Sequence, residues 1–295
     1  MLHGLVTWGE TARDAYETTI QLVTRAEEVL AQKPTPGLQV AVSTELDCAQ
    51  QRWNEVGPIL RGLLAEASGR PDRPYLPLIL KPLVNRSVLD LVDSDSGKEL
   101  VLTPPLTSDH LIRTKSYPLW IEAPAWGDLS LLENQLREGV EAYRREYEAY
   151  ARRNGESGEK GLKMFDSAPR VVMLPGMGIV CSGKDIHEAG ICADVTAHTL
   201  DIKAQIGSGE AYQGMSENDL FSMEYRGLQH AKLQQDEPPL RRQVAIVTGA
   251  AGAIGAGICQ GLLEQGCHVA VTDLPGDRLD SLVGQLGDHY GPRVI

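Results

Sequence analysis

Three features are missing from this sequence of 295 residues, and each absence removes a class of function. The chain lacks an excess of basic residues, since its 28 Lys and Arg are fewer than its 40 Asp and Glu. The net charge of -12 argues against nucleic acid or an anionic membrane surface as a partner. No apolar run reaches the roughly 18 residues of a membrane-spanning helix, and the chain start lacks a signal-peptide layout. The five cysteines form no CxxC pair, which predicts reduced thiols in a cytoplasmic protein.

The clearest motif lies near the end of the chain. The apolar run 244–248 leads into the Gly-rich turn 249–255 and then into a helical pattern. Glycines let backbone amides approach a pyrophosphate, and the helix dipole favours its negative charge. A second apolar run, 267–272, ends at a carboxylate that could bind the hydroxyls of an adenosine ribose. The pattern predicts a dinucleotide site made of Thr248, Gly249, Ala250, Gly252, Ala253, Ile254, Gly255 and Asp273.

Asp273 also indicates which dinucleotide binds. A carboxylate at this position accepts hydrogen bonds from a free 2′-hydroxyl and repels a 2′-phosphate. The turn 249–255 contains no Lys or Arg that could pair with such a phosphate. We therefore expect NAD rather than NADP as the cofactor.

The sequence of this turn resembles that of the short-chain dehydrogenase/reductase family, whose usual pattern is TGxxxGxG. Here Ala253 stands at the second glycine of that pattern, with Gly252 directly before it. A methyl group is small, so we expect the cofactor's approach to be crowded rather than blocked.

The first residues resemble another family. Residues 3–9 have the pattern of a strand, Thr11 and Asp14 that of a capping box, and a helix is predicted to about Gln32. A strand with a His-Gly pair before such a helix resembles the C-terminal segment of class II (zinc-dependent) sugar-phosphate aldolases, which makes His3 the candidate metal ligand. The family's upstream His-x-His pair and catalytic acid are not in this sequence, and one imidazole cannot hold a catalytic zinc, which takes about three protein ligands.

The centre of the chain mixes strand and helix patterns. Strands are predicted at 76–80, 88–92, 100–102 and 119–121, either a short strand or a loop at 38–42, and helices at 53–67, 129–152 and 217–233. His110, between Asp109 and Arg113, has two interpretations. It is either part of a site, or a structural histidine in a short turn capped by Thr107 and Asp109.

Residues 178–183 indicate an internal repeat, because they align without a gap with residues 4–9. Asp185 and Glu188 then repeat the capping pattern seen at the start of the chain, and a helix follows. The position that holds a histidine in the first copy is Met177 here, and a thioether is a poor ligand for the metals an aldolase uses. We expect a second aldolase-like module without its metal site.

Two proline-containing polar segments, 69–74 and 234–242, are predicted to be linkers. We expect an α/β protein in which aldolase-like α/β segments precede the first half of a Rossmann fold. The predicted divisions are a C-terminal aldolase strand and helix (1–33), a connecting helix and linker (34–74), a degenerate aldolase-like middle domain (75–233), a linker (234–242) and the N-terminal part of an NAD-binding Rossmann domain (243–295).

This order of parts resembles the bifunctional class II aldolase/short-chain dehydrogenase family of the rhamnulose-1-phosphate aldolase/lactaldehyde (alcohol) dehydrogenase type. The resemblance implies zinc-assisted cleavage of a ketose 1-phosphate and NAD-dependent oxidation of the released aldehyde, with the sugar phosphate and the aldehyde as small-molecule partners. The family's dehydrogenase uses a Tyr-x-x-x-Lys pair. Here only Tyr290 follows Asp273, and residue 294 is Val, so no catalytic residue is assigned.

We therefore expect an internal piece of such a protein, inactive alone in both reactions and at best a weak NAD binder. Half a Rossmann sheet leaves one side of its first strand unpaired, which favours self-association into a homo-oligomer. Two alternatives stay open: a non-catalytic binding or scaffold protein built on the degenerate module, and a stand-alone NAD sensor.

Overall fold

The computed structural model describes residues 5–32, 39–40, 43–206, 214–233 and 237–295. The helices are α1 (Ala12–Ala31), α2 (Leu46–Leu63), α3 (Arg86–Val92), α4 (Gly97–Val101), α5 (Ser108–Thr114), α6 (Leu129–Asn154), α7 (Ile186–Ile206), α8 (Glu217–Glu224), α9 (Gly227–Ala231), α10 (Ala253–Glu264) and α11 (Asp277–Tyr290). The strands are β1 (Glu66–Arg70), β2 (Arg73–Leu76), β3 (Ile79–Leu83), β4 (Leu119–Trp120), β5 (Val171–Leu174), β6 (Gly178–Gly183), β7 (Val244–Thr248) and β8 (His268–Thr272). Along these ranges no helix is both long and apolar enough to cross a membrane.

Residues 43–233 are called the middle module below. A four-stranded sheet in the order β3-β6-β5-β4 forms its centre. Only the β4–β5 pair is parallel. Every residue of β5 and β6 is buried, because alternate side chains enter two different cores. Val172 and Leu174 pack with α2 and α6 on one face, whereas Val171 and Met173 pack with α3, α4 and α7 on the other. The module is thus an α/β/α sandwich, as expected for an α/β protein.

The two long amphipathic helices of the sequence are confirmed. In α1, Thr11 accepts a hydrogen bond from the Asp14 amide and the Asp14 side chain bonds back to Thr11, which completes the capping box. In α6 one stripe of side chains at helical spacing is the buried face. Its members are Leu132, Leu136, Val140, Tyr143, Tyr147 and Tyr150.

Two predicted strands are wrong, because residues 88–92 and 100–102 lie in or beside helices α3 and α4. The Asn85 side chain accepts a hydrogen bond from the Val88 amide at 2.9 Å and starts α3. The apolar residues of α3 then bury at helical spacing, so the cap and the core override the β propensity of its valines.

Other boundaries also differ from the predictions. The predicted linker 69–74 is the β1–β2 hairpin, and the predicted helix 217–233 is divided into α8 and α9. The predicted strand 76–80 shifts to β3, and in 38–42 only Val40 forms a bridge, to Ser94, with residues 38, 41 and 42 outside the described ranges. In the predicted first strand, residues 5–9 have no strand structure in this chain, since no neighbouring strand pairs with them.

Residues 243–295, called the C-terminal unit below, form a parallel β-α-β arrangement. β7 and β8 pair in register, with Thr248 opposite Thr272, and α10 connects them. Ile295 continues the sheet, because its amide donates to the Val269 carbonyl at 2.9 Å and its carbonyl accepts from the Val271 amide at 2.8 Å. A third strand, parallel to β8, therefore begins at Val294. The part of the chain that the structure describes places no strand on the other edge of β7, where Ile246 is 73% exposed.

Residues 237–242, the described part of the predicted linker 234–242, are bound to the start of α7. Arg241 and Arg242 are both 7% exposed. The Arg241 guanidinium donates to Asp185 at 2.8 Å and to Glu188 at 2.9 Å, at the start of α7. These charge-assisted bonds hold the C-terminal unit against the middle module.

His268 makes a second connection between the two units. Its Nε2 accepts a hydrogen bond from the Ile186 amide at 3.1 Å, at the first residue of α7, and its Nδ1 lies 3.3 Å from the Gln243 carbonyl. These two bonds define a neutral ring with its hydrogen on Nδ1. Burial lowers the pKa of His268 below 6.5, in accord with this form.

We expect the free energy of unfolding to fall as the pH drops through 6.5. The unfolded state binds a proton at His268 that the folded state resists, so stability is retained above 6.5 and lost below it. Losing the hydrogen bond to α7 costs about 1 kcal/mol. Urea unfolding across this pH range should show the loss in the wild type and in the exposed control His187→Gln, and a smaller loss in His268→Gln. An equal loss in both variants would contradict the role of His268.

Candidate functional site

The predicted dinucleotide site lies at the carboxyl end of β7. The strand ends at Thr248, the chain turns at Gly249, and α10 starts after the N-cap Gly252. Gly249 has φ of 66°, in the left-handed region where glycine has no steric cost. The buried Ala250 ties the turn to β8, since its amide donates to the Thr272 carbonyl at 3.2 Å.

Gly255 lets α10 pack closely against the Gly-rich turn. A Cβ at this position would lie 2.2 Å from the Gly249 carbonyl oxygen and 2.7 Å from the Ala250 Cα. Only glycine permits this approach. Ala253 and Ile254 are exposed at the first turn of α10, so the methyl group of Ala253 faces open space.

Amides at the start of α10 are available to a ligand. Among the described residues, the backbone N–H groups of Ala253, Ile254 and Gly255 have no hydrogen-bond partner within the chain. Together with the helix dipole they form a site suited to a diphosphate. The start of α10 therefore fits the diphosphate of a dinucleotide.

Asp273 lies beside this turn. Its Oδ2 accepts from the Ala251 amide at 2.8 Å, and its Oδ1 accepts from the Leu274 amide at 2.7 Å. Each oxygen retains a second lone pair for a ribose hydroxyl. A cavity of about 350 Å³ next to Ala251 also includes Arg278 of α11, a cation near the turn that the local pattern did not reveal.

Gly255→Ala is expected to destabilise the C-terminal unit by about 1 to 3 kcal/mol, because the added methyl group collides with backbone that cannot move aside cheaply. A matched control lies on the same helix. At Gly257 a Cβ meets no atom within 4 Å, so Gly257→Ala should be neutral or stabilising by about 0.5 to 1 kcal/mol. Urea unfolding distinguishes the two variants, and equal stabilities would contradict the packing described here.

The metal expected from the aldolase resemblance does not fit the described residues. His3 lies outside them, and over the ranges that are described no three His, Cys, Asp or Glu side chains could together hold a metal ion. Met177, predicted to replace the histidine, is fully buried in the core. We therefore derive no zinc-dependent step from this chain.

The last glycine of each predicted repeat, Gly9 and Gly183, packs in the same way against the start of the following helix. A Cβ on Gly9 would lie 2.5 Å from Asp14, and one on Gly183 would lie 2.7 Å from Glu188, five residues on in each case. The Glu188 amide donates to Asp185 at 2.8 Å, as in the first cap. The same packing of a glycine against a capped helix start occurs twice, which supports the repeat.

The contacts of His110 are those of a structural histidine. It lies in α5, where its amide bonds the Thr107 side chain at 3.4 Å. Its Nδ1 lies 3.3 Å from the Thr199 hydroxyl, and Asp109 pairs instead with Lys232. Of the two interpretations left open by the sequence, these contacts favour the structural one.

A group of buried charges in the middle module was missed by the sequence analysis. Lys115, 4% exposed, contacts the Asp166 backbone carbonyl and lies 3.8 Å above the ring of Tyr147. Burial lowers the pKa of Lys115 to about 7. Burial would raise the pKa of Asp166, but the neighbouring Arg170 and Lys115 charges lower it. The signal available in the sequence was Lys115 itself, at the end of the polar stretch around His110.

Comparison with known proteins divides the chain in two. Residues 51–233 match the family model for aldolase class II, second domain, and residues 243–295 match that for short chain dehydrogenase. A Bacillus subtilis (strain 168) protein, "Uncharacterized oxidoreductase YuxG", is 30% identical over 296 residues. The alignment covers 98% of this chain and 41% of YuxG, so the chain spans less than half of that relative. No solved structure matches.

Proposed function

Because the chain belongs to the family that joins a class II aldolase second domain to a short-chain dehydrogenase, we propose that residues 243–295 bind NAD for the oxidation of a small aldehyde. The observation that carries this proposal is the contact between Asp273 and the Gly-rich turn. The 2.8 Å bond from the Ala251 amide puts the carboxylate and the free amides of α10 at one end of the sheet. Ligands of open α/β sheets bind at this end.

In this proposal the amides of Ala253, Ile254 and Gly255 hold the diphosphate, and Asp273 accepts hydrogen bonds from the adenosine ribose. NAD, when bound, supplies a hydride acceptor. The carboxylate disfavours a 2′-phosphate by charge repulsion, which is the basis for NAD over NADP.

For the whole protein we propose cleavage of a ketose 1-phosphate such as rhamnulose 1-phosphate, followed by oxidation of the aldehyde product. Its support is the order of the two matched families along one chain. We propose a cytoplasmic location, since the cysteines are free thiols in the structure and the composition is acidic.

We further propose that this chain alone turns over neither substrate. No Tyr-x-x-x-Lys pair follows Asp273 in the sequence, and the described residues offer no metal site. The open edge of β7, with Ile246 exposed, supports self-association into a homo-oligomer.

Calorimetric titration of the intact chain with NAD and NADP tests the cofactor proposal. We expect measurable binding of NAD and weaker binding of NADP. Equal binding of the two would remove the role of Asp273, and no binding of either would remove the dinucleotide site.

One observation favours a second candidate, a non-catalytic binding module. The middle module has the buried Met177 at the position of the expected metal ligand, yet it keeps several cationic side chains around a cavity, among them the buried Lys115. If the middle module binds a small molecule and the chain shows no NAD binding, this candidate replaces the first.

A further inference from the structure

A cavity of about 350 Å³ lies where the middle module meets the start of the C-terminal unit. Its volume is typical of small-molecule sites. Cationic side chains outnumber carboxylates in its lining, although the chain carries a net charge of -12. The cations are Arg113, Lys115, Lys163, Arg170, Lys184 and Arg242. We call it the cationic cavity.

Arg242 lines the cationic cavity with an incompletely paired guanidinium. The residue is 7% exposed, and within the described ranges its Nε and Nη1 have no hydrogen-bond partner. Its Nη2 lies 3.9 Å from a Glu237 carboxylate oxygen, too far for a hydrogen bond. A buried guanidinium with unbonded N–H groups is unfavourable, so Nε and Nη1 of Arg242 are free to donate to an anionic acceptor.

Two further nitrogens around the cavity are unpaired in the described structure. His230 is 8% exposed, its Nε2 has no partner, and its ring stacks on Phe165 at 4.3 Å. Arg170 contacts Asp166 through Nη2, but its Nη1 has no partner. The imidazole, as the tautomer with hydrogen on Nε2, and the guanidinium can both donate to an anion.

The carboxylates of the lining are already engaged. Asp166 contacts Arg170. Burial and the neighbouring Asp166 charge raise the pKa of Glu66, which favours its neutral form. Glu224 accepts from two tyrosine hydroxyls at 2.5 and 3.1 Å. Glu188 bonds an arginine outside the lining at 2.9 Å. None of them supplies the missing hydrogen bonds of Arg242.

We infer that the cationic cavity binds a small oxyanion, a carboxylate or a phosphate monoester, with Arg242 as its main charge partner. A guanidinium offers parallel N–H donors that match two oxygens of either group. Leu111 and Met164 add apolar wall, which suits a ligand with a short carbon chain.

This site is separate from the proposed NAD site. Arg242 lies two residues before β7, whereas the Gly-rich turn follows the other end of that strand. The five residues of β7 span roughly 17 Å. Anion binding and NAD binding can therefore succeed or fail independently.

Calorimetry on the intact chain tests the inference with two probes, inorganic phosphate and lactate, against chloride at equal ionic strength. We expect saturable binding of at least one probe. Tighter binding of phosphate identifies a phosphate ester as the ligand class, and tighter binding of lactate identifies a carboxylate. No saturable binding of either probe would overturn the inference.

Variants locate the bound anion. Arg242→Gln should weaken binding about tenfold or more, because a charge-assisted hydrogen bond is lost. Lys163→Gln, at an exposed residue of the lining, should weaken it less and leave folding intact, so it serves if Arg242→Gln does not fold. Arg137→Gln, at an exposed arginine paired with Glu133, is the control and should bind as the wild type does. Wild-type affinity in the Arg242 and Lys163 variants would place the anion elsewhere and overturn the inference.

Discussion

Replacing Asp273 with alanine is expected to weaken NAD binding by about ten- to hundredfold. Hydrogen bonds to a charged group contribute about 1.5 to 3 kcal/mol, and the variant loses the ribose contact as well as the 2.8 Å bond that orders the turn at Ala251. The preference between cofactors should change too. Without the carboxylate, a 2′-phosphate is no longer repelled.

The measurement is a pair of titrations, with NAD and with NADP, on the wild type and the variant. Asp288→Ala is the matched control, since this exposed aspartate lies at the far end of α11. It should leave both affinities unchanged. A variant at Asp273 that binds NAD as the wild type does would show that the carboxylate contacts only the turn.

The largest effect on stability is expected at Glu224, which is fully buried. Its carboxylate accepts from the Tyr147 hydroxyl at 2.5 Å and the Tyr150 hydroxyl at 3.1 Å. Glu224→Ala leaves both hydroxyls buried without their acceptor and should cost about 3 to 5 kcal/mol in urea unfolding. Glu224→Gln keeps one oxygen acceptor and should cost less. The exposed Glu148→Ala should stay within about 0.5 kcal/mol of the wild type, and a similarly small loss at Glu224 would contradict the network.

Glu224 also gives stability a defined pH dependence. Burial is the main cause that raises its pKa above 4.5, so the folded state holds a proton that the unfolded state has released. The stability linked to this proton is present below 4.5 and is lost as the pH rises through the folded pKa. Relative to Glu224→Gln, the wild type should therefore become less stable as the pH rises. A constant difference would show that Glu224 has no raised pKa.

Local sequence signals predict the C-terminal unit well. The run into Gly249, the helix start after Gly252 and the strand that ends before Asp273 are all found as expected, because each depends on neighbouring residues. The middle module was harder to predict. Its valines at 88–92 favour a strand by propensity, and only the cap at Asn85 and burial at helical spacing make this segment a helix.

The cationic cavity could not be predicted, because its residues come together from distant segments. Lys115 and Asp166 are 51 positions apart in the sequence. Arg242 lies in a segment that polar composition and prolines mark as a linker, and only the fold shows that it is buried. Local patterns identify a turn that repeats a known geometry, but not charges assembled by tertiary contacts.

The most direct test of the dinucleotide site is an amide chemical-shift titration of the intact chain with NAD. We predict that the largest shifts occur at Ala253, Ile254 and Gly255, whose N–H groups are free in the described structure, with further shifts at Asp273. The shifts should saturate with one NAD per chain. Saturable shifts confined to other parts of the chain, or no shifts at all, would contradict the assignment of this turn as the cofactor site.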